Sequence, residues 1–552
     1  MIGVYTQNSD RPAVSEFFEL FKTPWEFYRP EGKYDVLICC DSEAPSNSAK
    51  LVVIYGAEER VGDREGGIAN PMAASNALLS YNGVNIPVYG NCRTFGQPRT
   101  CLLTDEFTGQ SAAFEVDSGR QKVVRVGFHL FREILHLLKR GQPIGYASIP
   151  TLELHIAFLR DAILRCSIPL IEIPPVPDGH PIIACLTHDV DHVGVRNHRF
   201  DHTMLGFLYR ATIGSVVDFC RGSMSAKQLA TNWTAVLSLP LVHLGVAKDF
   251  WYQFERYVEI EKGLTSTFFV IPYKNDSGQG PSHSRSPMRA TRYDVGDITK
   301  DIRGLEIAGR EIGLHGIDAW RDGKKGREER ARISDVTRAS EIGVRMHWLF
   351  FDEKSPAVLE EAGFSYDSTV GYNETVGFRA GTTQAFKPLD VARMLELPMH
   401  IMDTAMFFRD RMNLSFKEAG AVVKRLVENA IRFGGVLTVN WHDRSIAPER
   451  LWGEFYVKLL DDLKSERAWF PTAAQAVAWF RKRRSVAFGE CSQENGEFKV
   501  KLTIDSDDSV CGLRIRIHRA NGAERAGMAK SNAGNDYVDV AFNRDCDLRI
   551  PA

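Results

Sequence analysis

The residues Thr187-His188-Asp189-Val190-Asp191-His192 put two carboxylates and two imidazoles at the end of an apolar run that starts at Ile182. A strand's period of two places Asp189 and Asp191 on one face. Two carboxylates there repel unless a cation or a proton lies between them. His188 and His192 alternate with them and face the other way. Further along the chain, single polar residues recur just after apolar runs: His315, then Arg345 and His347, then Asp367, then His442. Taken singly, each has a plain reading, since an Asp after a strand often caps a helix and a lone His is usually a structural group. Together they suggest a metal-assisted hydrolase. Carboxylate and imidazole suit Zn²⁺ or another first-row divalent ion. One Asp and two His leave coordination open for a water, which the metal acidifies and a second carboxylate can deprotonate. An imidazole on the far side can protonate the leaving group.

The elements that must position these residues alternate. Residues 182–190, 266–271, 311–314, 343–349 and 436–441 read as buried strands, and residues 298–309, 334–342, 355–363, 415–434 and 473–483 read as helices. Ser415 with Glu418 forms a capping-box pattern, and Ser355-Pro356 is a helix start. Such alternation predicts a parallel sheet, open or closed, with the polar residues at its strand ends. Residues 195–260 read as a mostly helical, amphipathic insertion, and residues 275–292 as a long surface loop.

At the polar positions the chain resembles the polysaccharide deacetylase family, the NodB-homology or carbohydrate esterase 4 group, over residues 180–485. Thr187-His188-Asp189-Val190-Asp191 is similar to the family's first motif, and Glu311-Ile312-Gly313-Leu314-His315-Gly316 to its second. Arg345 matches the third motif's arginine, Tyr366-Asp367-Ser368-Thr369 and the segment from Gly377 to Thr382 resemble the next segments, and Trp441-His442 matches the last. The resemblance implies a distorted (β/α)₇ barrel and removal of N-acetyl groups from an amino-sugar polymer or glycan. It implies Asp189 as catalytic base, Asp191 and His315 as metal ligands, Arg345 as the group that orients the base, and His442 as general acid. It adds Asp367 to the catalytic set and Arg379, Trp441 and Tyr372 as substrate-binding positions. The chain departs from the second motif, because Ala319 stands where the family has another metal-binding His. His347 is the favoured replacement ligand; Asp318, His188, His192, a substrate group or a water are the alternatives. The expected cofactor is a divalent metal, Zn²⁺ above all, and the expected partner is an N-acetylated carbohydrate. A non-catalytic glycan-binding barrel and a metal-dependent amidase acting on a small non-sugar amide are the competing functions.

The remaining chain sets the frame. With 552 residues, 44% apolar and 25% charged, it has the composition of a globular protein of several domains. The formal charge of −2 gives no reason to expect nucleic acid or an anionic membrane as partner. No apolar stretch is long enough to predict a membrane span. The first residues lack a signal-peptide pattern and the ten cysteines lack CxxC pairs, so the expectation is a cytoplasmic protein with reduced thiols. A segment with four prolines in eleven residues, 171–181, reads as a linker. Before it, residues 1–172 read as an α/β domain of unknown role, with strands at 34–40, 51–55 and 85–89, the last confined to a sheet edge by Pro87. Beyond residue 486 strict alternation sets in, as in Phe498-Lys499-Val500-Lys501-Leu502, so residues 486–552 read as a small β-sandwich-like domain.

Overall fold

A computed structural model describes residues 1–551, except 41–44, 46, 61–62, 64–71, 97–99, 118, 120, 283–285, 495–496, 506–509 and 520–536. The chain divides into two compact units, one of residues 1–179, 380–389 and 478–552, the other of residues 180–379 and 390–477.

The second unit carries the chemistry. Its sheet has eight parallel strands: β1 (Ile183–Val190), β2 (Thr267–Val270), β3 (Glu311–Gly316), β4 (Val344–Met346), β5 (Tyr366–Asp367), β6 (Leu395–Glu396), β7 (Ile401–Met402) and β8 (Val436–Asn440). Their order is β6-β5-β4-β3-β2-β1-β8-β7, and every neighbouring pair is parallel. This is a curled half-barrel of eight strands rather than the expected seven. The difference lies in β6 and β7, two residues each, too short to show any period. All of β1 is buried, which explains a run apolar on both faces until its polar end. Gly313 in β3 permits the close approach of a neighbouring ring: a Cβ there would lie 2.7 Å from Phe269 Cδ1 of β2. The expected helices are present as Thr299–Ile307, Ser355–Ala362, Phe416–Phe433 and Ala473–Ser485, with the capping box formed between Ser415 and Glu418. The expected helix at 334–342 instead runs earlier, over Gly323–Thr337, started by Asp322 as N-cap. The insertion is helical over His202–Tyr209, Ser215–Cys220 and Ala226–His243, with a π-turn at Arg210–Gly214.

The first unit is built on a nine-stranded sheet. Trp25–Phe27, Ile2–Tyr5, Val36–Cys40, Leu51–Tyr55 and Lys122–Val126 pair in parallel. The sheet continues antiparallel through Ser111–Asp117, Cys101–Asp105 and Leu78–Tyr81 to Val84–Pro87 at its edge, where Pro87 costs no ladder bond. The alternating strands of the C-terminus belong to this unit and form two three-stranded sheets. One of them takes Leu170–Glu172 as partner of Leu513–His518.

Candidate metal centre

β1 ends in the centre. Asp189 and Asp191 emerge on one face of it, as the period of two requires, and His188 points away. The His188 ring is fully buried between Trp441 O and Glu261 Oε1, 2.8 Å from each. β3 brings His315 and the turn after β4 brings His347. Asp191 Oδ1 lies 3.4 Å from His315 Nε2 and 3.5 Å from His347 Nε2. One donor atom from each of the three residues lies within 4.8 Å of the others.

The donor chemistry fits a divalent ion. Asp191 Oδ1 is a buried carboxylate oxygen with no hydrogen-bond partner among the described residues, which is costly unless something else meets it. His315 Nδ1 donates to the Arg345 carbonyl at 3.0 Å, which fixes the ring with Nε2 toward Asp191. Burial holds the His347 imidazole well below its usual range despite the nearby Asp191, so it stays neutral, as a ligand must be. Burial alone would raise the Asp191 carboxyl. The contact with His315 and the charge of His442 prevail and hold it well below the usual carboxylate range. The Asp443 carboxylate accepts the backbone N–H of Asp191 and of His192, at 3.3 and 3.1 Å, and so fixes this end of β1. The other candidates for the third donor are engaged elsewhere. Asp318 accepts the Gln279 N–H, His192 contacts the His198 ring, and Ala319 is core.

On one side of the triad stands Asp189. Its Oδ1 receives Arg345 Nη1 at 3.0 Å and its Oδ2 receives Asn440 Nδ2 at 2.7 Å. Burial pushes this carboxyl up, but Arg345, His315 and His442 outweigh it and leave it ionised. Arg345 is itself fully buried, packed on the Phe269 ring at 4.6 Å and bonded to Thr187 Oγ1, the Ser368 carbonyl and Ser368 Oγ. On the other side stands His442, its Nε2 3.9 Å from Asp191 Oδ2. Its Nδ1 is 2.6 Å from Asp403 Oδ1, and its backbone N–H donates to Asp403 Oδ2. Burial disfavours the imidazolium, yet the Asp403 carboxylate, with Asp191 and Asp189, lifts His442 to about 9. The site thus sets a carboxylate, Asp189, 3.9 Å from His315 Nε2 and an imidazole, His442, 3.9 Å from Asp191 Oδ2, both beside three convergent donors.

Six of the ten expected site residues meet here: Asp189, Asp191, His315, Arg345, His347 and His442. The other four do not. Asp367 pairs across β5 and β6 with Glu396 and accepts from Thr369 Oγ1, none of which belongs to the centre. Trp441 is fully buried against Phe455 and Tyr456, because the residue after Asn440 falls on the core side of β8, so no substrate can reach it. Arg379 is tied to the Gly371 carbonyl and stacked on Phe351, with the buried Tyr372 ring beyond it. Asn440 and Asp403 were not expected. Asn440 had a readable signal, two residues before His442 at a strand end; Asp403 follows a two-residue strand and had none.

No family model and no curated protein matches the chain. Solved structures similar to it include one described as a "putative polysaccharide deacetylase" from Mycobacterium smegmatis, at 16% identity and a TM-score of 0.34, covering 56% of this chain and 93% of that one. A probable polysaccharide deacetylase from Pseudomonas aeruginosa gives 12% identity and a TM-score of 0.33, covering 54% and 90%. Likeness at this level carries no weight on function, which rests on the geometry of the centre.

Proposed function

We propose that this protein is a metal-dependent N-deacetylase that hydrolyses acetamido groups of an amino-sugar polysaccharide or glycan, with Zn²⁺ as the ion its donor set suits best. The observation that carries the reading is the convergence of donor atoms from Asp191, His315 and His347 within 4.8 Å of one another, beside Asp189, held by Arg345 and Asn440, and His442, held by Asp403. Bound by those three side chains, the ion would polarise the amide carbonyl and acidify a water. The remaining chemistry belongs to the chain. Asp189 takes the proton of the attacking water on a carboxylate oxygen that Arg345 and Asn440 hold in place. His442 gives its Nε2 proton to the amide nitrogen as the C–N bond breaks, so an amine and acetate leave. Asp403 keeps His442 charged and aligned, which makes it a positioning residue.

Acetate release from oligomers of N-acetylglucosamine by the zinc-loaded protein tests the reaction. Release is expected from the parent and absent from Asp189→Asn, whose metal content should be unchanged. If the zinc-loaded parent binds glycans but frees no acetate from any acetamido sugar, the protein is a binding barrel. Metal analysis tests the ligands separately: Asp191→Ala and His347→Ala should each lose the ion, and full metal content in both would overturn the assignment.

A further inference from the structure

The helical insertion of the second unit carries an apolar surface left exposed among the described residues. Nearly half of the exposed large apolar side chains among the described residues fall between Phe200 and Val246, less than a tenth of the chain. They are not scattered. In the first helical stretch Leu205, Tyr209, Ile213 and Val216 are exposed, spaced by four, four and three residues. In Ala226–His243 and the residue after it, Trp233, Leu237, Leu241 and Leu244 are exposed, with the same spacing. At 3.6 residues per turn the second set forms one stripe, and the first keeps the same spacing across its π-turn. The opposite faces, with Phe207, Ala211, Ala235, Leu239 and Val242, pack into a small core with Trp251. Each helix is therefore apolar on both faces, which is not how a helix that meets only water is built.

The charges around the stripes indicate what covers them. Residues 196–249 contain six Lys or Arg, namely Arg196, Arg199, Arg210, Arg221, Lys227 and Lys248, and all six are exposed. The same segment has three acids, and none is exposed. Asp201 caps a helix and binds His198, Asp218 pairs with Arg409, and Asp249 is buried on backbone N–H groups. Two of the cations have acidic partners from outside the segment, Arg210 with Glu449 and Lys248 with Glu255, and Arg196 donates to the Val242 and Ala247 carbonyls, which leaves Arg199, Arg221 and Lys227 for the rim. A second copy of this chain would meet the patch with the same patch, and a cationic rim does not complement itself. An anionic lipid surface complements both features: acyl chains for the stripes, headgroups for the rim. Trp233 and Tyr209 are residue types that favour the depth between them. Among the described residues no helix is long and apolar enough to cross a membrane.

We propose that residues 200–246 lie in the interface of an anionic lipid bilayer and hold the protein on its surface. The net charge of −2 hides this, because the segment is poor in acids, with six Lys or Arg to three Asp, while the rest of the chain carries the acids that balance it. The inference is independent of the chemistry at the metal centre. Flotation of the full-length protein with phosphatidylglycerol vesicles, and with phosphatidylcholine vesicles, tests it. Binding to the anionic vesicles is expected to exceed binding to the neutral ones, and to weaken when salt rises from 0.1 to 0.5 M, by about a Debye-length argument. Trp233→Ser with Leu237→Ser should lower partitioning about tenfold or more, with an unchanged circular dichroism spectrum. Arg221→Glu with Lys227→Glu should lower binding to the anionic vesicles alone. Absence of vesicle binding at either composition, or binding indifferent to both double variants, would overturn the proposal. So would a concentration-dependent dimer dispersed by Trp233→Ser with Leu237→Ser, which would make the occupant a second copy.

Discussion

Asp189 is held at both oxygens, by Arg345 on Oδ1 and by Asn440 on Oδ2, and Asn440 also accepts the Asp189 N–H through its own Oδ1 at 3.2 Å. Asn440 thus binds the proposed base twice without reaching the donor triad. Asn440→Ala leaves a buried carboxylate oxygen with one donor fewer, and losses of about 10–100-fold are usual when such an outer partner is removed. The loss is expected in kcat with KM nearly kept and zinc content unchanged; a fall in zinc content would mean that Asn440 supports the ligands instead. Trp348 makes the second case. It follows His347 in a left-handed conformation with φ 66°, and Leu349 repeats it with φ 53°. Two consecutive non-glycine residues there store strain of about 1–3 kcal/mol each. The conformation sets the Trp348 ring 6.0 Å from the His347 ring and leaves it 39% exposed, a flat apolar face beside the centre. Trp348→Ala is expected to raise KM for an oligosaccharide about tenfold with kcat little changed, which steady-state kinetics would read as lost uniform binding. At this scale the chain was legible where chemistry sits on long strands: Asp189 and Asp191 by their period, and His347 by its place two residues after Arg345. Trp441 misled because adjacency to His442 in sequence means opposite faces on a strand.

β5 and β6 set two carboxyl groups side by side, Asp367 opposite Glu396, on a part of the half-barrel where both are fully buried. Like charges directly opposite destabilise a strand pair unless a proton is shared. Burial raises the Asp367 carboxyl, and burial together with the Asp367 charge raises Glu396 well above its ordinary value. The consequence for stability has a definite sign. Groups raised in the folded state contribute fully below the ordinary carboxylate range of about 4 and lose that contribution as pH rises above it. The pair should therefore weaken the fold as pH rises from about 4 through the raised Asp367 value of about 6 and beyond. Glu396→Gln keeps a donor for Asp367 and removes the second acid, so its melting temperature should fall less over that range than the parent's. An equal pH dependence in parent and variant would show that the pair does not govern it. These strands also mark where reading elements from sequence fails. The eight residues of β1 and the helix after the Ser415 box declare themselves by length, period and cap, whereas two-residue strands exist only through the neighbours they pair with.

The first unit is assembled from three stretches of chain that are distant in sequence, 1–179, 380–389 and 478–552. The proline-rich segment near 171–181 was visible as a boundary because proline acts locally. The return of the chain was not, because it depends on buried polar contacts between remote residues. Glu153 of Thr151–Arg165 is one, accepting from Thr382 Oγ1, the Thr383 N–H and Gln384 Nε2. Arg483 is another, and like Glu16, which accepts from the Lys387 N–H and from Arg484, it joins all three stretches. Fully buried, it donates to the carbonyls of Ile173, Glu19 and Leu20 and to Gln384 Oε1, at 2.7–3.1 Å. Burial lowers it only to about 10, so it keeps its charge. The run Arg481-Lys482-Arg483-Arg484 thus contains the arginine that ties the C-terminal stretch to helix Arg11–Phe21. Arg483→Ala would leave several buried carbonyls unpartnered, each at about 1–3 kcal/mol, though such costs do not add simply. The expected result is faster amide hydrogen exchange at the end of Arg11–Phe21, around Ile173 and in residues 380–389 together. By the same logic residues 1–179 expressed alone should not give a protected, folded domain. Faster exchange confined to Ala473–Ser485 would show instead that the three stretches hold together without Arg483.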